Sequence, residues 1–155
     1  MRYAAVASPG YLRRHAPTGM DAAALTRAPM LRFDRRDGMQ ACWARDALGT
    51  SFLDAPVHWV PSTQGFLDGA LAGLGWGLNP LMLVAAHLTA RRLVELVPSQ
   101  RLDVPLHWQH ARLGARLLDG LRATVLEAAH ASLPSSAAHT NAAPLHTSRR
   151  RPVPS

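Results

Sequence analysis

The chain opens on an apolar run, Arg2-Tyr3-Ala4-Ala5-Val6-Ala7, that passes without a spacer into Ser8-Pro9. Serine at a helix N-cap accepts from the free N–H groups of the first turn, and proline at the first helical position gives up an N–H that has no partner there. A strand feeding directly into a helix is the unit of α/β folds. The same alternation recurs downstream, with β-like runs at 3–7, 30–34, 57–60, around 76–78, 94–97 and 106–110. The pattern predicts an α/β domain.

The intervening helices are marked by caps. Asp21 opens a short helix over 21–27, closed by Ala28-Pro29. Asp37 caps a helix over 38–48, with Gln40 three residues on as in a capping box, Met39, Trp43 and Ala47 at helical spacing, and Gly49 as the stop. Thr63 opens 64–74, Asn79-Pro80 starts a helix carrying Leu81, Val84 and Leu88, and a last helix from about Leu113 sets Leu117, Leu121 and Val125 on one face. From Pro134 periodicity stops, and 134–155 reads as a disordered basic tail.

At 155 residues and 48% hydrophobic content the chain fits one globular domain. Its apolar runs are short and broken, none approaching the roughly 20 residues of a membrane span, and 3–7 is too short for a signal peptide. The single cysteine, Cys42, excludes an internal disulfide framework. The expectation is a soluble cytoplasmic protein away from the membrane. The net charge of +7 rests on arginines scattered in pairs, with Arg149-Arg150-Arg151 clustered in the tail, so charge alone is a weak argument for nucleic-acid contact.

Few residues suggest chemistry. His107 and His110 on a strand face opposite sides and no Cys or carboxylate cluster joins them, so no metal is expected. Gly73-Leu74-Gly75-Trp76-Gly77 follows a helix and leads into a strand, the reverse of a dinucleotide loop, and reads as a C-cap and tight turn. Cys42 sits mid-helix with nothing nearby in sequence to activate it, and Ser8, Ser51 and Ser62 lie in no nucleophile elbow. Neither catalytic residues nor a cofactor are expected, and the chain does not read as an enzyme. Ser62-Thr63-Gln64 stands where a strand ends and a helix begins, a place that serves helix capping, anion binding, or both. Asp34-Arg35-Arg36-Asp37 stands at a similar junction, as a cap within a solvated loop or as carboxylates for a ligand cation.

Several segments carry a resemblance: Val6-Ala7-Ser8-Pro9, Met30-Leu31-Arg32-Phe33-Asp34-Arg35-Arg36-Asp37-Gly38, Pro61-Ser62-Thr63-Gln64-Gly65-Phe66, Gly75-Trp76-Gly77-Leu78-Asn79-Pro80 and Val104-Pro105-Leu106-His107-Trp108-Gln109-His110. In this order and spacing they resemble the effector-binding domain of LysR-type transcriptional regulators over about 2–133. The likeness is to the bacterial subgroup of ArgP (also called IciA) and LysG, regulators of arginine and lysine export. The resemblance implies an effector domain like a type 2 periplasmic binding protein, with the ligand between two lobes. It implies a complete second lobe over 8 to about 103, and a first lobe represented only by 106–110 and the last helix. The expected organisation is thus a partial effector domain over 1–133, a tail over 134–155, and no N-terminal winged helix-turn-helix.

The function implied is transcriptional regulation in answer to a small-molecule effector, a basic amino acid such as L-lysine or L-arginine, controlling an amino-acid export or metabolism gene. Ser62 and Thr63 would meet the effector's carboxylate and Asp34 or Asp37 its side-chain cation, with Ser8 and Gln64 counted in the same site. Gln64 stands where an acidic residue is expected in much of the subgroup, and Asp34 where Asn is common. The family binds DNA through the domain expected to be missing, so partners other than the effector would be a second copy or a full-length relative. A stand-alone binding module and a non-functional gene remnant are the alternatives.

Overall fold

The computed structural model describes residues 1–50, 53–106 and 115–132. Strand β1 (Arg2–Ala7) runs into helix α1 (Pro9–His15), with Ser8 Oγ accepting from Tyr11 N at 3.2 Å. There follow α2 (Ala22–Leu25), β2 (Met30–Arg32), α3 (Met39–Leu48), β3 (Val57–Trp59), α4 (Thr63–Ala72), β4 (Gly77–Pro80), α5 (Leu81–Thr89), β5 (Val94–Glu95), β6 (Arg101–Asp103) and α6 (Ala115–Ser132).

β4 lies antiparallel to β1, with Tyr3 opposite Pro80 and Val6 opposite Gly77. The other edge of β1 is shared end to end: β5 pairs with Val6 and Ala7, and β6 with Arg2, Tyr3 and Ala4. β2 and β3 are parallel. They join the rest through a parallel bridge between Met30 and Trp76, where Leu31 N donates to Trp76 O at 2.7 Å and Trp76 N to Pro29 O at 3.2 Å. The order across the molecule is β3-β2-β4-β1, with β5 and β6 beyond β1.

Successive side chains of a strand face opposite ways, so β1 feeds two cores. Ala5 and Ala7 join Tyr11, Leu25, Met30, Trp43, Trp76 and Leu78 on the side of α1–α3. Ala4 and Val6 join Leu31, Phe66, Leu67, Val84 and Leu93 on the side of α4 and α5. A strand covered on both faces reads as an unbroken apolar run, which is why 3–7 shows no polar alternation. Gly77 is fixed by packing, since a Cβ there would stand 2.4 Å from Phe66 Cε1.

Several boundaries differ from the sequence-based expectation. β2 stops at Arg32 instead of Asp34, because Asp34 folds the chain into a turn. The N-cap of α3 is Gly38, one residue after Asp37. α4 begins at Thr63 with Ser62 as its cap, and ends at Ala72, where Gly73 takes the left-handed conformation (φ 76°). Asn79-Pro80 belongs to β4, and α5 starts after it with no side-chain cap. β6 is an addition, and β5 is two residues long. The strand expected at 106–110 does not include Leu106, and its remainder lies outside the described residues, as do the expected tail, Ser51 and the side chain of Leu117. No described helix is long and apolar enough to cross a membrane, and among the described residues no group of three or more His, Cys, Asp or Glu could hold a metal.

Candidate functional site

Because β2 is parallel both to β3 and, at the bridge, to the strand leading into β4, the carboxyl ends of all three lie at one end of the sheet. The antiparallel β1 and β6 bring Tyr3 and Asp103 to the same end. A cavity of about 710 Å³ opens there, walled by Tyr3, Phe33, Asp34, Arg36, Asp37, Met39, Cys42, Thr63, Phe66, Leu78, Asn79, Pro80 and residues 102–105. This is where ligands settle in open α/β sheets.

The turn after β2 sorts the two candidate carboxylates. Asp34 is exposed, and its Oδ1 accepts from Arg36 N at 2.7 Å and Asp37 N at 3.0 Å. Its Oδ2 takes no hydrogen bond among the described residues. Asp37 is filled: Oδ1 accepts from Met39 N at 3.1 Å, and Oδ2 from Phe33 N at 3.0 Å and Gln40 Nε2 at 3.1 Å. Gln40 Nε2 also reaches Leu31 O at 2.9 Å, tying α3 to β2. Arg32 donates to the Asp37 carbonyl, and its guanidinium lies 5.3 Å over the Trp59 ring, joining the ends of β2 and β3. Asp37 therefore contributes negative potential to the cavity while its oxygens hold the turn. Asp103 is paired with Arg2 at 2.9 Å.

The amino end of α4 also borders the cavity. Ser62 caps it, accepting from Gly65 N at 3.2 Å. Thr63 faces the cavity, with Phe66 one turn behind it. The first N–H groups of a helix have no partner within it and carry partial positive charge. Gln64 is exposed, donates to Asp68 Oδ1 at 2.9 Å, and lies off the cavity wall.

Ser8 is not brought to this place. Its Oγ lies 3.0 Å from where a Cβ on Gly73 would stand, beyond the far end of α4. The ten residues of that helix put roughly 15 Å between its two ends. Ser8 is buried and caps α1.

Sequence reasoning missed Tyr3 and Asn79. Burial, and secondarily the negative charge of Asp37, push the Tyr3 phenol above its usual range, so it stands in the wall as a neutral hydroxyl. Asn79 is 1% exposed and borders the cavity. Its Asn-Pro sequence suggested a helix start, and only the register of β4 against β1 reveals its place.

The family model of the LysR substrate-binding domain matches residues 1–148. The chain belongs to that family. Among curated relatives, the HTH-type transcriptional regulator ArgP of Pseudomonas aeruginosa is 42% identical over 78% of this chain and 40% of its own length. LysG of Mycobacterium tuberculosis is 41% identical over 83% of this chain and 42% of its own. The chain thus spans about two fifths of these relatives. Among solved structures, the C-terminal domains of a LysR family protein from Agrobacterium tumefaciens superpose with a TM-score of 0.82 at 52% identity, over 86% of this chain and 64% of that one. Full-length LysG of Corynebacterium glutamicum with bound effector Arg superposes with a TM-score of 0.71 at 31% identity, over 84% of this chain and 44% of that one. The fold is that of a LysR effector-binding domain, periplasmic-binding-protein-like, and the relatives are transcriptional regulators, not enzymes.

Proposed function

We propose that this LysR effector-binding domain senses a basic amino acid, L-arginine or L-lysine, in the cavity at the carboxyl ends of β2, β3 and β4. The observation that carries the reading is the polarity of that cavity. The open oxygen of Asp34, reinforced by the charge of Asp37, lines one side, and Thr63 at the amino end of α4 lines the other. An amino acid with a cationic side chain has complementary ends, its carboxylate suited to the helix terminus and its cation to Asp34. The arginine held by the Corynebacterium glutamicum LysG supports the choice. Ser62 sets the helix terminus without itself facing the ligand, and Gln64 lies off the cavity wall, bonded to Asp68. In a regulator with a DNA-binding domain, on this chain or on an associated copy, effector binding would shift the population of the DNA-binding form and so control an export or metabolism gene.

Titration calorimetry of the purified chain tests the reading. L-arginine or L-lysine is expected to bind and L-glutamine to bind more weakly. Asp34→Asn keeps the turn's acceptor and removes the charge. It should weaken the basic ligand about twofold to fivefold, the worth of an exposed ion pair of about 0.5–1 kcal/mol. Equal affinity for glutamine and arginine, or an unchanged Asp34→Asn variant, would overturn it.

A further inference from the structure

Asn79 is a buried polar side chain of the cavity wall whose amide donor the fold itself does not use among the described residues. It sits in β4 opposite Ala4, on the face shared with Val6, Phe66 and Val84, and is 1% exposed. Its Nδ2 is buried and donates to nothing among the described residues. Buried polar groups in folded proteins are almost always satisfied, and an amide in this position costs stability unless something fills it. The helix that follows does not use it either, since α5 has no side-chain cap. Phe66 and Leu78, which line the cavity with it, are apolar, and no acceptor among the described residues takes the Nδ2 hydrogens. Because Asn79 borders the cavity, an occupant of the cavity can supply the missing acceptor.

Resting on the proposed effector reading and extending it, we infer that Asn79 donates through Nδ2 to the effector's carboxylate. It would act beside Thr63 and the amino end of α4 as the neutral, fully desolvated member of the carboxylate site. Several features favour a carboxylate over another acceptor. Asn79 shares the cavity with the amino end of α4 and with the Thr63 hydroxyl, while the amino ends of α3 (Gly38, Met39) and α5 (Pro80) border it as well. Asp34 and Asp37 on the β2 turn draw the ligand's cation to that side, where Arg36 also borders the cavity, while the third carboxylate of the wall, Asp103, is paired with Arg2. A donor that has already lost its hydration holds an anion without a further desolvation cost. Asn79 would thus discriminate for the carboxylate, while Asp34 discriminates for the side chain.

The test is calorimetric titration of the full chain and of Asn79→Leu, near in volume, with L-arginine and with agmatine, which is arginine without its carboxylate. Asn79→Leu should weaken L-arginine roughly 10- to 100-fold, the range of a hydrogen bond to a charged group, and leave agmatine within about twofold of its wild-type affinity. Asn79→Asp, which sets a like charge against the carboxylate, should lose L-arginine further than Asn79→Leu. Circular dichroism and melting of each variant establish that it is folded, and Asn79→Ser replaces any that is not. An Asn79→Leu protein that binds L-arginine like the wild type, or that loses arginine and agmatine equally, overturns the inference while the basic-amino-acid reading stands. If the wild type instead prefers L-glutamine, that reading fails, and the dependence on Asn79 is read on glutamine. A wild-type chain that binds none of these carboxylates sinks both.

Discussion

Asp34 and Asp37 are the same residue type three positions apart, yet the fold gives them different work. Asp34 closes a turn with one oxygen and presents the other. Asp37 spends both on Phe33 N, Met39 N and Gln40 Nε2. Removing an acceptor with three part-buried or loop donors leaves those donors unpaired, so Asp37→Ala should lower unfolding free energy by about 1–3 kcal/mol, read as a lower urea midpoint at unchanged slope. A variant as stable as wild type would mean that the turn does not depend on it. Ser8→Ala should cost about 1 kcal/mol as a lost N-cap and leave effector affinity unchanged, because the site lies at the other end of α4. The sequence placed both aspartates and Ser8 near strand ends, which is where they are. Which oxygen is spent, and which end of the sheet a strand end belongs to, depends on chain reversal and strand direction, and neither is written in local spacing.

The elements most legible in advance were those with a complete local signature. α1 has its Ser-Pro start, α3 its apolar spacing and Gly49 stop, and α4 its hydroxyl cap and Gly73 stop. β5 and β6 were not legible as a pair. They flank one interrupted edge of β1, held open by the left-handed Ser99 (φ 67°) and by Trp43 Nε1 donating to Gln100 O at 2.8 Å. A strand of two residues carries no alternation to detect. Gly77 falls in the run expected at 76–78, but the sequence does not say why it is glycine there: its missing side chain admits the Phe66 ring, which lines the cavity. Gly77→Ala should therefore destabilise by about 1–3 kcal/mol through overpacking and displace Phe66. Adding Phe66→Leu should recover part of that loss in a double-mutant cycle. Strictly additive effects would show that the two positions do not meet.

At the scale of the molecule, charge and titration have an unusually clean relation. All 17 cations are arginine, and the chain has only two tyrosines, so lysine ionisation does not complicate stability between about pH 9 and 12. Both phenols are pushed above their ordinary value in the folded chain. For Tyr11 the cause is burial, slightly offset by a backbone hydrogen bond; for Tyr3 it is burial and then the charge of Asp37. A group whose folded pKa is raised contributes its full stability below the unfolded pKa, near 10, and loses it as pH rises toward the folded value. Stability should therefore hold up to about pH 10 and then fall, by up to about 1.4 kcal/mol per pH unit from Tyr11, with Tyr3 acting in the same direction. Tyr11 is the stronger contributor, since it is 1% exposed and its hydroxyl donates to Pro29 O at 2.6 Å, linking α1 to the strand beside the bridge. Tyr11→Phe loses that bond and should start lower at neutral pH, yet its stability should decline less steeply above pH 10. Urea unfolding followed by tryptophan fluorescence at pH 7, 10 and 11 separates the two effects, because an ordinary packing defect would shift the whole curve down in parallel. If the alkaline slope is the same with and without the Tyr11 hydroxyl, the Tyr11–Pro29 link between α1 and the sheet is not where this molecule loses its fold at high pH.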